Sequence, residues 1–233
     1  MNVALFMPSA RGVACSASLA RRLAKADSTY GATCAALLLF SLEFIMTHQT
    51  RIIIGISGAS GIIYGIRLLE ILRELAIESH LVVTKMADLT RAHETNLSAT
   101  ELRQLAYKTY SIADMSAAIA SGSFQVSGMI IAPCSMKTLA EIASGVTSNL
   151  LTRAADVTLK ERRKLVLLVR ESPLHRGHLQ NMLAVTEMGA IVAPPVPAFY
   201  IRPESLHDII DHTAGRALDL LNVDCGLVKR WGE

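Results

Sequence analysis

The chain has 233 residues, of which 51 % are hydrophobic and only 18 % charged, with a formal net charge of +3. That length suits one α/β domain with a sizeable core. A charge this small, with no Lys/Arg block, excludes a nucleic-acid partner held by bulk electrostatics. Cys15, Cys34, Cys134 and Cys225 form no C-x-x-C pair and no regular framework, so they read as reduced thiols.

Residues 1–46 differ from the rest of the chain. They carry Arg11, Arg21, Arg22 and Lys25 against only Asp27 and Glu43. The apolar run over 33–46 is interrupted by Glu43 and falls short of the roughly 20 residues a bilayer span needs, so no transmembrane helix is expected. An Arg- and Ser-rich, acid-poor leader resembles an organelle transit peptide. An over-extended start, with Met46 as the initiator, accounts for the same residues. Either way, disorder is expected in this leader and the folded domain over 47–233.

The run over 51–56 is β-branched and reads as a buried strand. Gly55, Gly58 and Gly61 recur at every third position, and Ile62, Ile66, Leu69, Leu72 and Ala76 then share one helical side. Strand, glycine turn and helix in that order make an anion cradle. Small residues admit a phosphate to the backbone N–H groups, and the helix N-terminus is partly positive. Ser57 and Ser60 add hydroxyls. An ordinary tight turn is the plainer alternative. The spacing is G-x-x-G-x-x-G, not the dinucleotide G-x-G-x-x-G, and the second strand ends in Thr84-Lys85 with no carboxylate for a ribose diol. The pattern therefore points to a mononucleotide and away from NAD. Neither serine has the glycines a nucleophile elbow requires.

Further strands are expected over 80–84, 128–132, 164–170 and 190–194. Helices are expected over 61–76, 98–109, 137–144, 149–162, 175–188 and 203–221. Alternation of this kind predicts a doubly wound parallel sheet with helices on both faces. Ligands then sit beyond the carboxyl ends of the strands, which gathers the loops at 57–61, 84–85, 133–138, 170–173 and 194–200.

The loop at 133–138 offers Ser135, Lys137 and Thr138 at a helix start, with capping by Ser135 as the structural alternative. Cys134 beside them reads as a packing thiol, since nothing adjacent would lower its pKa. Arg153 and Lys160 lie seven residues apart on one helix face and could grip a phosphate, although a solvated face gives the same spacing. Arg170 and Glu171 follow a strand, where a guanidinium can bind phosphate and a carboxylate can move protons. An ion pair at the surface is equally compatible. His175 and His178 lack a third ligand and read as surface histidines. The prolines of 194–200 stiffen a loop ending in Phe199 and Tyr200, with Arg216 on the following helix.

Taken together, these motifs resemble the UbiX-type flavin prenyltransferases. The resemblance rests on Gly-Ala-Ser-Gly at 58–61, Pro-Cys-Ser-Met-Lys-Thr at 133–138, Arg-Ala-Ala-Asp at 153–156 with Leu-Lys-Glu-Arg-Arg at 159–163, Arg170-Glu171, Pro-Ala-Phe-Tyr at 197–200, and Arg-Trp-Gly at 230–232. It implies a flavodoxin-like, Rossmann-like fold that binds FMN. It implies transfer of a dimethylallyl group from dimethylallyl phosphate to N5 and then C6 of reduced FMN, without a metal. The prenylated FMN would serve UbiD-type decarboxylases, as in ubiquinone synthesis. Carried over position by position, Gly58, Ala59, Ser60, Thr84, Ser135, Met136, Lys137, Thr138 and Arg170 would hold FMN. Arg153, Lys160, Tyr200 and Arg216 would hold the prenyl phosphate. Ser60, Glu94, Lys160 and Glu171 would be catalytic. The family resemblance also implies a large homo-oligomer, a dodecamer, with prenyl sites shared between subunits. The location would be cytoplasmic unless the leader is a transit peptide. A flavin-dependent decarboxylase and a non-catalytic FMN carrier are the rival functions.

Overall fold

The structure is a computed structural model and describes residues 50–232; the leader over 1–46 lies outside them. In chain order the elements are β1 (Arg51–Ile56), α1 (Ile62–Glu74), β2 (Glu78–Val83), α2 (Lys85–Glu94), α3 (Ala99–Leu105), β3 (Lys108–Tyr110), β4 (Gly128–Cys134), α4 (Met136–Ala143), α5 (Leu150–Lys160), β5 (Lys164–Val169), α6 (Arg176–Glu187), β6 (Ile191–Val192) and α7 (Leu206–Asp219). Short 3-10 turns occupy Ala118–Ala120 and Phe199–Ile201.

All pairings in the sheet are parallel, in the order β3-β2-β1-β4-β5-β6. The expected doubly wound sheet is present. Strand order reverses between β1 and β4, the place where such sheets bind ligands. The β-branched strands are buried on both faces, as a parallel sheet covered by helices requires. Ile52, Ile54, Ile56, Leu81, Ile130 and Leu168 pack with α1 and α7 on one face. Ile53, Val82, Met129, Ile131, Leu167 and Val169 pack with α4, α5 and α6 on the other.

Two elements depart from expectation. The helix expected over 98–109 stops at Leu105, and 108–110 pairs as edge strand β3 beside β2. The stretch Lys85–Glu94, which has no clear apolar pattern, is helix α2. Its single buried residue is Ala87, and a Thr84 cap starts it. Ion pairs from Asp88 to Arg103 (2.6 Å) and Arg91 (3.6 Å) replace the usual apolar stripe.

At the amino end of the sheet, His80 is 3 % exposed. Its Nδ1 meets the Tyr110 hydroxyl at 2.9 Å, and its Nε2 lies 3.8 Å from Glu78, which also takes Arg51 at 2.6 Å. Burial pushes the His80 pKa below 6.5, with Glu78 opposing and Arg51 and Lys108 assisting.

A base held neutral in this way stabilises the fold fully above pH 6.5, and that stabilisation is lost as pH falls through the lower folded value. His80→Asn is therefore expected to lessen the fall in Tm on acidification from about pH 7 to about pH 5. A parallel fall in variant and wild type would exclude His80 as the source. Gly65 of α1 faces the Ala132 carbonyl so closely that a Cβ would overlap it. Gly65→Val is expected to lower the unfolding free energy by about 2–3 kcal/mol, read from urea denaturation.

Candidate active site

The rim of the site is built by the loops following β1 and β4. Ser57, 1 % exposed, joins them. Its hydroxyl donates to the Pro133 carbonyl at 2.9 Å and accepts from the Ser135 amide at 2.7 Å, while its own amide donates to Pro133 at 3.2 Å. Proline has no N–H for the ladder, and the β4–β5 register shifts between Ile131 and Cys134. The Ser57 contacts continue the β1 side of β4 past Pro133, and on the β5 side the Arg170 amide bonds the Cys134 carbonyl at 3.1 Å. Both hydroxyls expected to face a phosphate are thus used within the chain, that of Ser57 here and that of Ser60 on Glu94.

The start of α1 corrects a second expectation. Gly61 is its N-cap, with φ 98° and no side chain to cap the helix. The Glu94 carboxylate, arriving from the end of α2, accepts from the Gly61 amide at 2.9 Å and the Ile62 amide at 3.0 Å. The anion cradle exists, and a carboxylate of this chain fills it. Desolvation alone would raise the Glu94 pKa, but the Ser60 hydroxyl, both amides and the Arg170 guanidinium hold it below the ordinary value. Glu94 sits in the most loosely patterned stretch of the expected site, and the fold brings it to Ser60 and Arg170. Tyr64, one turn into α1, also feels Arg170; burial raises its pKa and Arg170 opposes the rise. Sequence reading passes over Tyr64, although its place three residues after Gly61 puts it on the first turn.

The start of α4 carries the second donor set. Ser135 caps the helix, accepting from the Thr138 amide at 3.3 Å and lying 3.2 Å from the Thr138 hydroxyl. Met136 and Lys137 occupy the first turn, where amides have no partner within the helix. The Lys137 side chain is 81 % exposed and 3.7 Å from Glu141. First-turn amides at a helix N-terminus suit a phosphomonoester, and the Ser135 and Thr138 hydroxyls stand at the same turn, so the donor chemistry there fits FMN. Thr84 caps α2 and bonds the Ile56 carbonyl through its amide. Gly58 packs against Met86 with no room for a Cβ. Cys134 is fully buried, with its thiol pushed up to about 12 by desolvation, which makes it a packing residue.

The cations expected to hold the prenyl phosphate divide between the faces of the sheet. Arg153 and Lys160 are on α5. Arg153 bonds Asp156 at 2.7 Å and the Ala120 carbonyl at 3.3 Å, and Lys160 pairs with Glu161. Arg216 is on α7, paired with Asp219 at 2.7 Å, and shares a cavity of 320 Å³ with Tyr200. α5 and α7 cover opposite faces, so one copy of the chain does not bring the four groups together. Glu171 is exposed and accepts from the Ser172 amide at 3.0 Å. The His175 and His178 ring centroids lie 3.6 Å apart with the planes tilted by 32°, and His175 caps α6.

Comparison with known proteins agrees with this fold. A family model described as Flavoprotein matches residues 44–218. The mitochondrial flavin prenyltransferase PAD1 of Saccharomyces cerevisiae is 51 % identical over 181 residues, covering 78 % of this chain and 75 % of that protein. The structure of AnUbiX (PadA1) in complex with FMN and dimethylallyl pyrophosphate is 49 % identical, with a TM-score of 0.78, over 80 % of this chain and 99 % of that one. The chain belongs to the UbiX-type flavin prenyltransferases. A dodecameric FMN-dependent UbiX-like decarboxylase from Escherichia coli O157:H7 is 47 % identical, with a TM-score of 0.77, over 79 % of this chain and 100 % of that one. Among the described residues of this UbiX-type chain, no helix is long and apolar enough to cross a membrane.

Because the Glu94 pKa is lowered, its stabilising effect is complete above 4.5 and is lost as pH falls through the folded value. Glu94→Ala is expected to cost about 1 kcal/mol at neutral pH, the usual cost of a lost helix cap, and to flatten stability between about pH 5 and about pH 3. Urea midpoints across that range check both; an unchanged midpoint at neutral pH would contradict the cap.

Proposed function

We propose that this protein transfers a dimethylallyl group from dimethylallyl phosphate to N5 and C6 of reduced FMN, yielding prenylated FMN. The observation that carries this reading is the pair of donor loops, 57–61 and 135–138, clamped together where the strand order reverses, with Arg170 beside them. With Glu94 occupying the α1 terminus, the FMN phosphate falls to Ser135, Met136, Lys137 and Thr138 at the start of α4. Gly58, Ala59, Ser60, Thr84 and Arg170 would then border the ribityl chain and ring.

Reduced flavin, when bound, supplies the nucleophilic N5 and C6. The chain's own part is electrostatic. Cleavage of the allylic C–O bond places negative charge on the departing phosphate, and Arg153, Lys160 and Arg216, with the Tyr200 hydroxyl, are the groups to stabilise it. Ring closure would add a proton to the prenyl double bond and release one from C6, so one group could give the first and take the second. Glu94 is committed to the Ser60 hydroxyl and two amides, which leaves Glu171, or the released phosphate, as the base.

Since α5 and α7 lie on opposite faces, these cations meet only if α5 of one subunit reaches α7 of another. A homo-oligomer is thus part of the proposal, and the dodecameric neighbour supports it. The product would pass to a UbiD-type decarboxylase, with ubiquinone synthesis as one setting. For location, the basic leader suits organelle import, in keeping with the mitochondrial relative; initiation at Met46 would instead leave the enzyme in the cytoplasm.

Anaerobic incubation with FMN, a reductant and dimethylallyl phosphate should yield a flavin heavier by one five-carbon unit in mass analysis. Absence of that product would overturn the reading, and carbon dioxide released from an aromatic acid by the protein alone would favour a decarboxylase. Lys160→Ala is expected to slow prenyl transfer by about 100-fold or more while oxidised FMN still binds.

A further inference from the structure

The 320 Å³ cavity between β5 and α7 is lined by apolar side chains and by Tyr200, His212, Thr213 and Arg216. Such a lining suits a short apolar chain that ends in a phosphate. The family resemblance assigns Tyr200 and Arg216 to that ligand and says nothing of His212. His212 is 6 % exposed, and a side chain so buried needs partners for its nitrogens. Its Nε2 lies 3.1 Å from the Tyr200 hydroxyl, and the two rings meet edge-on with centroids 5.7 Å apart. The Lys229 carbonyl stands 3.3 Å from the same hydroxyl.

We infer that His212 is a positioning residue for the prenyl phosphate, and that its protonation state decides whether the Tyr200 hydroxyl has a proton to give the ligand. This rests on the transferase reading above. A phenol has one proton, and a carbonyl can only accept. When His212 is neutral with its proton on Nδ1, Nε2 accepts from Tyr200, and the hydroxyl offers a phosphate only lone pairs. When Nε2 carries a proton it donates, and the Tyr200 proton is left for the Lys229 carbonyl or for a phosphate. An anionic phosphate is the stronger acceptor. A bound phosphate therefore favours the donating forms of His212, and the imidazolium among them adds a positive charge. Without ligand, burial pushes the His212 pKa below 6.5; the Lys229 carbonyl opposes, Arg216 assists and Asp219 opposes. Asp219 also pairs with Arg230 at 3.1 Å, and the neighbouring Asp211 pairs with Arg67 of α1 at 2.6 Å. Phosphate binding raises the His212 pKa from its low free value. By linkage, affinity then improves as pH falls through the bound value and levels off below the free one.

The test uses the FMN-loaded, full-length protein with the flavin oxidised, so that dimethylallyl phosphate binds without turnover. Calorimetry gives its Kd at about pH 8 and about pH 6 for wild type, His212→Gln and Tyr200→Phe. The glutamine keeps a hydrogen-bonding group but cannot titrate, and the phenylalanine lacks the hydroxyl. The phosphomonoester itself titrates near about 6, equally for all three proteins, so the ratio of variant to wild-type Kd isolates the His212 effect. That ratio should grow about tenfold between the higher and the lower pH, within the usual range for coupled sites. Should the buried His212→Gln change prevent folding, Tyr200→Phe, at an exposed side chain, carries the test. A ratio that does not move with pH would overturn this inference and leave the transferase reading standing. Wild-type protein that yields no prenylated flavin under reducing conditions would overturn both.

Discussion

The Ser57 hydroxyl sits buried between two carboxyl-end loops, bonded to the Pro133 carbonyl on one side and the Ser135 amide on the other. A buried hydroxyl left unpaired costs about 1–3 kcal/mol, and this one is satisfied as both donor and acceptor. It also repairs the break that Pro133 makes in the central ladder. Its larger effect is geometric. It holds together the β1 and β4 loops, which lead into α1 on one face and α4 on the other, and the proposed FMN site is built on that junction.

The two loops lead into two helix N-termini, each partly positive and each attracting an anion. The fold treats them differently. At α1 the cap position is Gly61, which has no side chain to offer, and Glu94 supplies the missing acceptor from another helix. At α4 Ser135 caps its own helix, while the lysine beside it stays exposed. One terminus is thereby closed by a carboxylate from another helix, and the other, capped by its own Ser135, is the one we propose for the FMN phosphate. Glu94 also ties α2, which has almost no apolar face, to the rest of the structure.

Much of the fold could be read from residue patterns, and the misses have physical causes. The β-branched strands and amphipathic helices announced themselves because burial on both sheet faces demands those side chains. Strand β3 did not, since three residues with only Tyr110 buried carry no periodicity. Helix α2 did not, since ion pairs and a cap hold it in place of an apolar stripe. Within the site, motifs picked out the two loops that the Ser57 hydroxyl joins but could not say which donors were already taken. Ser57 and Ser60 look alike in sequence, and only tertiary structure commits one to Pro133 and the other to Glu94. Arg153 and Lys160 do lie along one helix. That helix, however, covers the opposite face from Arg216, a fact set by chain topology and invisible to spacing.

That separation across the sheet bears on inheritance as well as on chemistry. In an assembly whose pockets form between copies, damage at α5 and damage at α7 spoil different halves of a pocket. A cell carrying one allele of each kind would still build some pockets from two undamaged halves. Two individually dead alleles could then rescue each other, whereas two alleles hit in the same helix could not.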